Sequence, residues 1–272
     1  MDKIIQNDYQ EFFTKGIMVN NMLDSKAVFP FIKQFREKFI SVELIRIGGE
    51  NDGGYLVPNI MNSISNCFSP GVDDNAQFEK QLSRDYDIKS FMADASIDSL
   101  PLSDSNFYFK KKFLGIKDNN QFITLNSWIS NNTHKNDRDL LLQMDIEGSE
   151  YEVLTYESID TLKRFSCMVI EFHNFEKIFD LYFHKMVSGI FEKIYSEFSI
   201  CHVHPNNCCG VMSYGGIDVP RIIEVTFIRN DKIEEVKSNC TINLPHRLDR
   251  VNLTNIPVLD MPVEWWKKDN IQ

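Results

Sequence analysis

The stretch LLLQMDIEGSEYEVL, residues 140–154, begins as an apolar run and turns acidic at once. A continuous apolar run without alternation is typical of a strand covered on both faces of a parallel sheet. The following segment predicts a helix, for which Ser149 and Glu152 fit a capping box. Asp145 and Glu147 fall between this strand and this helix. Acidic side chains there cost free energy unless a polar group meets them, so we expect a ligand site.

Apolar strand-like runs alternate with helical patterns along the chain. The predicted strands include ISNCFSPG, IKSFMADAS, NFYFKKKFLG, LLLQMD and CMVIEFH, and the predicted helices include VDDNAQFEKQLSRDY, GSEYEVLTYESIDTL and NFEKIFDLYFHKMVSGIFEKIYSEF. This alternation indicates a mainly parallel sheet with helices on both faces. We predict a doubly wound α/β fold, with N-terminal helices in residues 1–45 packed on a domain of residues 46–272. Antiparallel strands are expected toward the C-terminus, in FSICHVH, IIEVTFI and TINLP.

Charge and composition exclude several classes of protein. The net charge of −10 argues against a nucleic-acid-binding face and against an anionic membrane surface. No apolar run approaches the roughly 18–20 residues of a membrane span, and the N-terminus lacks the pattern of a signal peptide. We therefore expect a cytoplasmic protein with a small-molecule partner and six reduced cysteines. A homo-oligomer remains open.

Polar residues follow several predicted strands. In doubly wound folds, ligands bind beyond the carboxyl ends of the strands. Gly71 ends the first strand of the sheet, Asp94 the second, and Glu171 with His173 a later one. Asp94 lies 23 residues after Gly71, a spacing at which nucleotide-binding folds hold a ribose diol. The alternative for Asp94 is a carboxylate satisfied within its own turn. A single glycine in place of G-x-G-x-x-G argues against a dinucleotide cofactor.

Two further segments attract attention. RIGGENDGGYLVP, residues 46–58, is rich in glycine, which permits close backbone approach. It predicts either a loop lying against a ligand, through residues 52–55, or a β-turn before a hairpin. CHVHPNNCCG, residues 201–210, is too compressed to supply a tetrahedral zinc set. We expect a substrate-side loop in which His204, Asn206 and Asn207 make contacts, the alternative being a polar hairpin turn.

Four stretches together resemble a known family. LLLQMDIEGSEYEVL resembles the signature of the FkbM-type S-adenosylmethionine-dependent methyltransferases, an apolar strand followed by K-x-D-x-E-G-x-E and a helix. RIGGENDGGYLV, CFSPGVDDNAQFEKQL and MVIEFH match a branch of the same superfamily, in the same order, over about residues 45–175. This chain has Gln143 where the family usually has lysine, so any role of that lysine is absent.

The resemblance implies a Rossmann-like methyltransferase whose cofactor is S-adenosylmethionine. It implies that Gly71 and Asp73 lie in the loop around the methionine part and that Asp94 holds the ribose. Asp145 would face the sulfonium side and the substrate. The loop that would close over the cofactor or order the pocket consists of Asp52, Gly53, Gly54 and Tyr55.

The expected reaction is O-methylation of a sugar or nucleotide-linked sugar, in surface polysaccharide biosynthesis. A hydroxyl nucleophile must lose a proton, and His173 is the first candidate base because its ordinary pKa is near 6.5. Asp145 is the second candidate. Glu171 would orient His173 or bind substrate, and Glu147 would contact substrate.

Alternatives remain for both the mechanism and the function. A Mg²⁺ or Mn²⁺ ion held by Asp145, Glu171 and His173 could acidify the hydroxyl instead. The rival functions are methylation of another small-molecule hydroxyl, a nicotinamide-dependent oxidoreductase, and a non-catalytic binding protein with a methyltransferase fold.

Overall fold

The computed structural model describes residues 10–19, 22–238 and 241–267. Its strands are, in chain order, β1 (Leu44–Gly48), β2 (Gly54–Pro58), β3 (Asn66–Pro70), β4 (Lys89–Ala93), β5 (Phe107–Lys110), β6 (Phe113–Leu114), β7 (Phe122–Ile123), β8 (Leu140–Met144), β9 (Phe165–Phe172), β10 (Phe198–Pro205), β11 (Val211–Tyr214), β12 (Ile217–Pro220) and β13 (Ile223–Arg229). Its α-helices are α1 (Phe29–Glu37), α2 (Gln77–Tyr86), α3 (Leu125–Asn132), α4 (Glu150–Tyr156), α5 (Ile159–Leu162), α6 (Leu181–Tyr195) and α7 (Ile233–Val236). Short 3₁₀ helices occur at Ser25–Ala27, Met61–Ser63, Phe175–Phe179, Asn230–Lys232 and Val263–Trp265.

Seven strands form the central sheet, in the order β10-β13-β9-β8-β3-β4-β5. The pairs β8/β9, β3/β8, β3/β4 and β4/β5 are parallel, whereas β13 is antiparallel to both β9 and β10. The chain moves outward on one side from β3 to β5 and then returns to β8 on the other side of β3. The strand order therefore reverses between β3 and β8, where such folds bind ligands. The predicted doubly wound fold with C-terminal antiparallel strands is confirmed.

The two faces of the sheet bury different side chains because successive residues of a strand point in opposite directions. Leu142 and Met144 of β8 belong to the larger hydrophobic cluster, to which α1, α3, α4 and α6 contribute. Leu141 belongs to a second cluster on the other face, built with the β1/β2 hairpin and α2. All five residues of β8 are buried, which explains its uninterrupted apolar pattern.

Helix α1 packs into the same core as the sheet. The rings of Phe31 and Phe191 lie edge to face, 5.2 Å apart, and Phe35 contacts Trp265 in the same manner at 5.6 Å. This is the helix predicted within residues 1–45, although residues 1–9 and 20–21 of that segment are outside the described part. The boundary placed at residue 45 remains a prediction.

Three local predictions were wrong. Ser149 stands at the start of α4 but its side chain makes no capping hydrogen bond. The helix predicted over residues 174–198 is a 3₁₀ turn followed by α6, because Asp180 adopts an extended conformation and accepts from the amides of Tyr182 and Phe183. The segment TINLP forms no strand among residues 241–267.

Two further findings concern the chain as a whole. None of the helices in the described ranges has the length and apolar character needed to cross a bilayer. The five cysteines that the structure describes carry free thiols, and Cys240 lies outside the described residues.

Candidate active site

A cavity of about 580 Å³ opens at the carboxyl ends of β3, β4 and β8. Its volume is within the roughly 300–1,000 Å³ usual for small-molecule sites. Apolar side chains in its wall include Phe113, Leu114 and Phe122. The lining also carries carboxyl groups, which belong to Asp52, Asp73, Asp74, Glu79, Asp94, Asp145 and Glu147.

Gly71 closes the turn after β3 in a conformation that only glycine adopts easily. Its φ is +82°, and a Cβ added there would lie 1.5 Å from the carbonyl oxygen of Asp145. The loops after β3 and β8 are therefore in direct backbone contact beneath the cavity. Gly71 and Asp73, both predicted as cofactor contacts, line the cavity.

Asp94 ends β4 and fixes two turns at once. Its Oδ2 accepts hydrogen bonds from the amides of Val72 and Asp73, at 3.0 and 3.1 Å. Its Oδ1 accepts from the amide and the hydroxyl of Ser96, at 2.7 and 2.6 Å. Burial alone would raise the pKa of Asp94, but these hydrogen bonds lower it below the ordinary value. Both properties anticipated from the sequence, the position on the ligand cavity and the satisfied turn carboxylate, occur in the same residue.

The glycine-rich segment is a β-turn between β1 and β2, and it also lies against the cavity. Asp52, Gly53 and Tyr55 are in the lining. Gly54 is not in the lining, and it admits the carbonyl of Gly49, since an added Cβ would be 2.1 Å from that oxygen. The side chain of Asn75 donates to the backbone carbonyl of Asp52 at 2.9 Å and so ties the turn to the loop after β3.

A buried polar chain forms the floor of the cavity. The hydroxyl of Ser69 contacts both Glu79 and Oε1 of Gln143, and Nε2 of Gln143 donates to the hydroxyl of Tyr55. Burial raises the pKa of Glu79, which favours its protonated form. A protonated Glu79 can donate to Ser69, and Ser69 can then donate to Gln143. The position where related sequences have lysine is thus occupied here by a neutral, hydrogen-bonded amide.

Asp145 stands at the rim, directly after β8. Burial is the main cause that raises its pKa to about 7; His173 opposes the rise, whereas Glu147, Glu150 and Asp52 add to it. Its Oδ1 is buried and has no hydrogen-bond partner. A carboxyl group with a pKa near neutrality accepts and releases protons readily at physiological pH.

His173 is surrounded by carboxylates. Its Nδ1 is 3.0 Å from Oε1 of Glu150, and its Nε2 is 3.4 Å from Glu147 and 3.7 Å from both Asp145 and Glu171. Burial alone would lower its pKa, but the hydrogen bond and charge of Glu150, with the charges of Asp145 and Glu147, raise it above the ordinary value. A raised pKa increases the fraction of the imidazole that is protonated, which disfavours His173 as the first acceptor of a proton.

Glu171 of β9 lies beside polar residues of the neighbouring antiparallel strands. It is paired with Glu224 of β13, which is in turn paired with His204 of β10. Burial, and next the charge of Asp145, raise the pKa of Glu171 well above its ordinary value. Oε1 of Glu171 accepts from Asn206 at 3.1 Å, whereas its Oε2 is buried without a partner.

The three residues predicted on the substrate side lie at different depths. His204 is half-buried beside Asp249, with 3.8 Å between Nδ1 and Oδ2. Asn206 reaches the active-site carboxylates through Glu171. Asn207 is engaged with the backbone instead: its amide donates to the carbonyls of Leu253, Ile256 and Pro257, and its Oδ1 accepts from the amide of Leu253. Its contact with a substrate remains a prediction, and the structure shows it holding residues 253–257.

The predicted metal set is only partly assembled. Donor atoms of Asp145, Glu147 and His173 lie within 4.8 Å of one another, with Glu147 in the place expected for Glu171. Glu171 instead groups with Asp52 and Glu224. Side chains that sequence reasoning missed include Glu150, Glu79, Glu224 and Asp249. Glu150 was hidden inside a helical pattern, and the position of Asp249 has no local sequence signal.

Comparison with solved structures gives distant likenesses of fold. Fibrillarin from Methanococcus jannaschii, a pre-rRNA processing protein, has a TM-score of 0.36 and 11% identity over 76% of this chain and 75% of that one. TYW2 from M. jannaschii, solved with AdoMet, has 0.31 and 11% over 70% and 94%, and the plantazolicin methyltransferase BpumL, solved with SAH, has 0.31 and 10% over 61% and 76%. The search of curated proteins finds no match.

A family model gives the decisive comparison, and it agrees with the resemblance of the four sequence stretches. The model describes the methyltransferase FkbM domain and matches residues 56–206, from β2 through the end of β10. The matched range contains β3, β4, β8 and β9 and the loops that follow β3, β4 and β8, whereas Asp52, Gly53 and Tyr55 of the cavity lining precede it. Because this range is more than half of its 272 residues, the chain belongs to the FkbM methyltransferase domain family.

Proposed function

We propose that the protein is an S-adenosylmethionine-dependent O-methyltransferase whose acceptor is a hydroxyl of a sugar or nucleotide-linked sugar, in surface polysaccharide biosynthesis. The observation that carries this proposal is Asp145, a cavity-lining carboxyl group whose pKa is raised to about 7. A hydroxyl nucleophile must lose its proton during methyl transfer, and a carboxylate with this pKa is a suitable acceptor. Membership in a methyltransferase family supports the reaction class.

The cavity fits the proposed cofactor in its chemistry. S-adenosylmethionine joins an apolar adenine to polar ribose and amino-acid parts, and the cavity lining likewise combines apolar and polar side chains. Phe113, Leu114 and Phe122 would contact the adenine. Asp94 would accept from the ribose, and the loop of Gly71 and Asp73 would hold the methionine part.

Asp94 sets a condition on ribose binding. A carboxylate offers about four lone-pair positions, and Asp94 already accepts four hydrogen bonds. A ribose diol must therefore share or replace one of them. Ser96 is the side chain able to give way, because its hydroxyl rotates freely whereas the backbone amides of Val72 and Asp73 do not.

The bound cofactor supplies an electrophilic methyl group on a sulfonium centre. The protein must then hold the acceptor hydroxyl in line with that methyl group and take its proton. Asp145 takes the proton of the hydroxyl. When His173 is protonated, it stabilises the ionised form of Asp145, since its positive charge lowers the pKa that burial raises.

The charge of the cavity bears on the acceptor. Carboxylates accept hydrogen bonds from hydroxyl groups, which suits a neutral sugar. Among the described residues, no lysine, arginine or histidine lines the cavity. The phosphates of a nucleotide-linked sugar would therefore lie outside the cavity, with the sugar directed into it.

Metal-assisted deprotonation is the second form of this mechanism. The grouping of Asp145, Glu147 and His173 within 4.8 Å favours it. A metal requires a neutral imidazole, however, and the carboxylates around His173 raise its pKa, so the ion would have to displace a proton. If the metal form is correct, added Mg²⁺ or Mn²⁺ raises turnover; an unchanged rate supports direct proton transfer to Asp145.

Calorimetric titration with S-adenosylhomocysteine, with NAD⁺ as the control ligand, tests the cofactor. We expect micromolar binding of the former alone. Turnover is then followed as S-adenosylhomocysteine release with a panel of sugars and nucleotide sugars. Asp145→Asn should lower kcat about 100-fold or more while cofactor affinity changes little, because a general base contributes about 10²–10⁴-fold.

The control is Asp160→Asn, a carboxylate on α5 outside the cavity, which should keep the wild-type rate. Wild-type turnover in Asp145→Asn would remove the base assignment. Cofactor binding without methylation of any hydroxyl would favour the non-catalytic alternative. Binding of NAD⁺ in place of S-adenosylhomocysteine would favour the oxidoreductase.

A further inference from the structure

A second cluster of metal-ligating side chains lies at the antiparallel edge of the sheet, outside the cavity lining. His202 and His204 alternate along β10 and so share one face, and Asp249 reaches them from the C-terminal segment. Nε2 of His202 is 2.9 Å from Oδ1 of Asp249, and Nδ1 of His204 is 3.8 Å from Oδ2. One donor atom of each residue lies within 4.8 Å of the other two.

The contact between His202 and Asp249 is not a well-formed hydrogen bond. Despite the short distance, Nε2 of His202 and Oδ1 of Asp249 are both buried without a hydrogen-bond partner, as is Nε2 of His204. His202 is 97% buried, so bulk solvent does not reach its Nε2. Atoms that ligate one metal ion at about 2.0–2.2 Å lie roughly 3–3.6 Å from each other and point at the ion. The three donor atoms are close enough together to share one ion.

Neighbouring groups hold Asp249 and the segment that carries it in place. Oδ2 of Asp249 accepts from the amide of His246 at 2.6 Å, which fixes the turn that carries it. Asn252 donates to Glu224 at 2.7 Å and to Asp52 at 3.0 Å. Asn207, three residues beyond His204, holds the backbone of residues 253–257. Such surrounding contacts are what keep metal ligands correctly oriented.

We propose that His202, His204 and Asp249 bind a divalent transition-metal ion. Two imidazoles and one carboxylate form a borderline donor set that suits Zn²⁺ and its neighbours better than Mg²⁺ or Ca²⁺, which prefer oxygen ligands alone. The ion joins β10 to the segment of residues 246–257. Because Asn252 of this segment contacts Asp52, which lines the cavity, the ion orders one wall of the cavity.

Equilibrium dialysis of the full-length protein against Zn²⁺, with metal content measured per chain, tests the site. We expect one tightly bound Zn²⁺ per chain, and visible Co²⁺ absorption typical of nitrogen–oxygen coordination. His202→Ala and Asp249→Asn should each weaken binding at least tenfold. Circular dichroism of each variant verifies folding, and His204→Gln, which preserves side-chain volume, serves as a further variant if one of them fails to fold.

Two controls separate this site from other sources of binding. His134→Ala removes an exposed histidine and should retain the ion, as should His173→Ala, which disrupts the cluster around Asp145. Zn²⁺ binding lost in His173→Ala but kept in His202→Ala would overturn the proposal, and so would the absence of stoichiometric binding to the wild-type protein. Titration of the same samples with S-adenosylhomocysteine reports the proposed function independently.

Discussion

At the scale of single residues, the loops after the central strands adopt backbone conformations that residues other than glycine rarely adopt. Asp73, Glu147 and Asn174 have φ values of 47°, 56° and 54°, and Gly71 and Gly148 also have positive φ. Each of these residues follows the carboxyl end of β3, β8 or β9. Strained conformations at such a position persist because the surrounding hydrogen bonds determine them.

Gly71→Ala should disrupt the site more than positive φ alone explains. A left-handed conformation costs a non-glycine residue roughly 1–2 kcal/mol. At Gly71 the new Cβ would also meet the carbonyl of Asp145 at 1.5 Å, so the loops after β3 and β8 must separate. We expect a loss of stability well above the conformational cost in urea unfolding, together with loss of S-adenosylhomocysteine binding.

Gly210→Ala is the matched control for this substitution. Its φ of +74° is similar, but nothing lies within 4 Å of the added Cβ. It should therefore show only the conformational cost and retain cofactor binding. Equal destabilisation by both substitutions would mean that the contact between Gly71 and Asp145 has little energetic weight.

The site could be predicted from the sequence as far as strand ends could be recognised. Gly71, Asp94, Asp145, Glu171 and His173 were identified because each follows a predicted strand, and the structure brings them to one edge of the sheet. Asp249 could not be identified in this way, since it comes from an irregular segment and its position is determined by tertiary contacts such as those of Asn207. The protonation of His173 also depends on carboxylates that meet only in the folded chain.

At the scale of elements, the first residue of helix α4 ties the helix to the loop before it. Ser149 makes no capping bond, and the loop is instead bonded by the side chain of Glu150. Its Oε1 accepts from the amides of Ile146 and Gly148, both at 3.1 Å, and also contacts His173. A carboxylate at the first turn of a helix also interacts favourably with the helix dipole. The buried side chain of Glu150 thus contacts the loop after β8, begins α4 and raises the pKa of His173.

Glu150→Gln should lower the pKa of His173. The amide keeps an oxygen acceptor for the loop but removes the negative charge nearest the imidazole, which is the main reason that this pKa is raised. Titration of the histidine ring signals by NMR measures the change. Glu152→Gln, at an exposed position of the same helix, should leave the titration of His173 as in the wild type. An unchanged titration of His173 in Glu150→Gln would contradict the role of Glu150 in raising this pKa.

At the scale of the whole molecule, the fold was predictable because the sheet is apolar on both faces. Uninterrupted strands such as β8 and β9 have few alternatives to a parallel sheet enclosed by helices. The exceptions in this pattern mark the site and form a row of polar residues across the sheet. Ser69, Gln143, Glu171 and His204 lie near the carboxyl ends of their strands, and Glu224 lies near the amino end of the antiparallel strand β13. Sequence patterning could not order these strands, since their sequence of pairing depends on crossovers between distant segments.

The raised pKa values of Asp145, Glu171 and His173 imply that the protein loses stability as the pH rises through neutrality. A carboxyl group whose pKa is higher in the folded than in the unfolded chain binds more protons when folded, so the free energy of unfolding falls as the pH passes the folded-state value. For Asp145, with a pKa of about 7 against an ordinary value of 3.8, the loss between pH 6 and pH 8 is roughly 1 kcal/mol. Glu171 and His173, whose pKa values are also raised, act in the same direction.

Urea unfolding at pH 6 and pH 8, compared between wild type and Asp145→Asn, isolates the contribution of Asp145. His184 and His246, whose pKa values burial lowers, act in the opposite direction, but they are common to both proteins and cancel in the difference. We expect the variant to lose less stability than the wild type over this interval, and Asp160→Asn to behave as the wild type. An identical pH dependence in Asp145→Asn would show that Asp145 is ionised throughout this range, which would also remove the reason for assigning it as a base that titrates near neutrality.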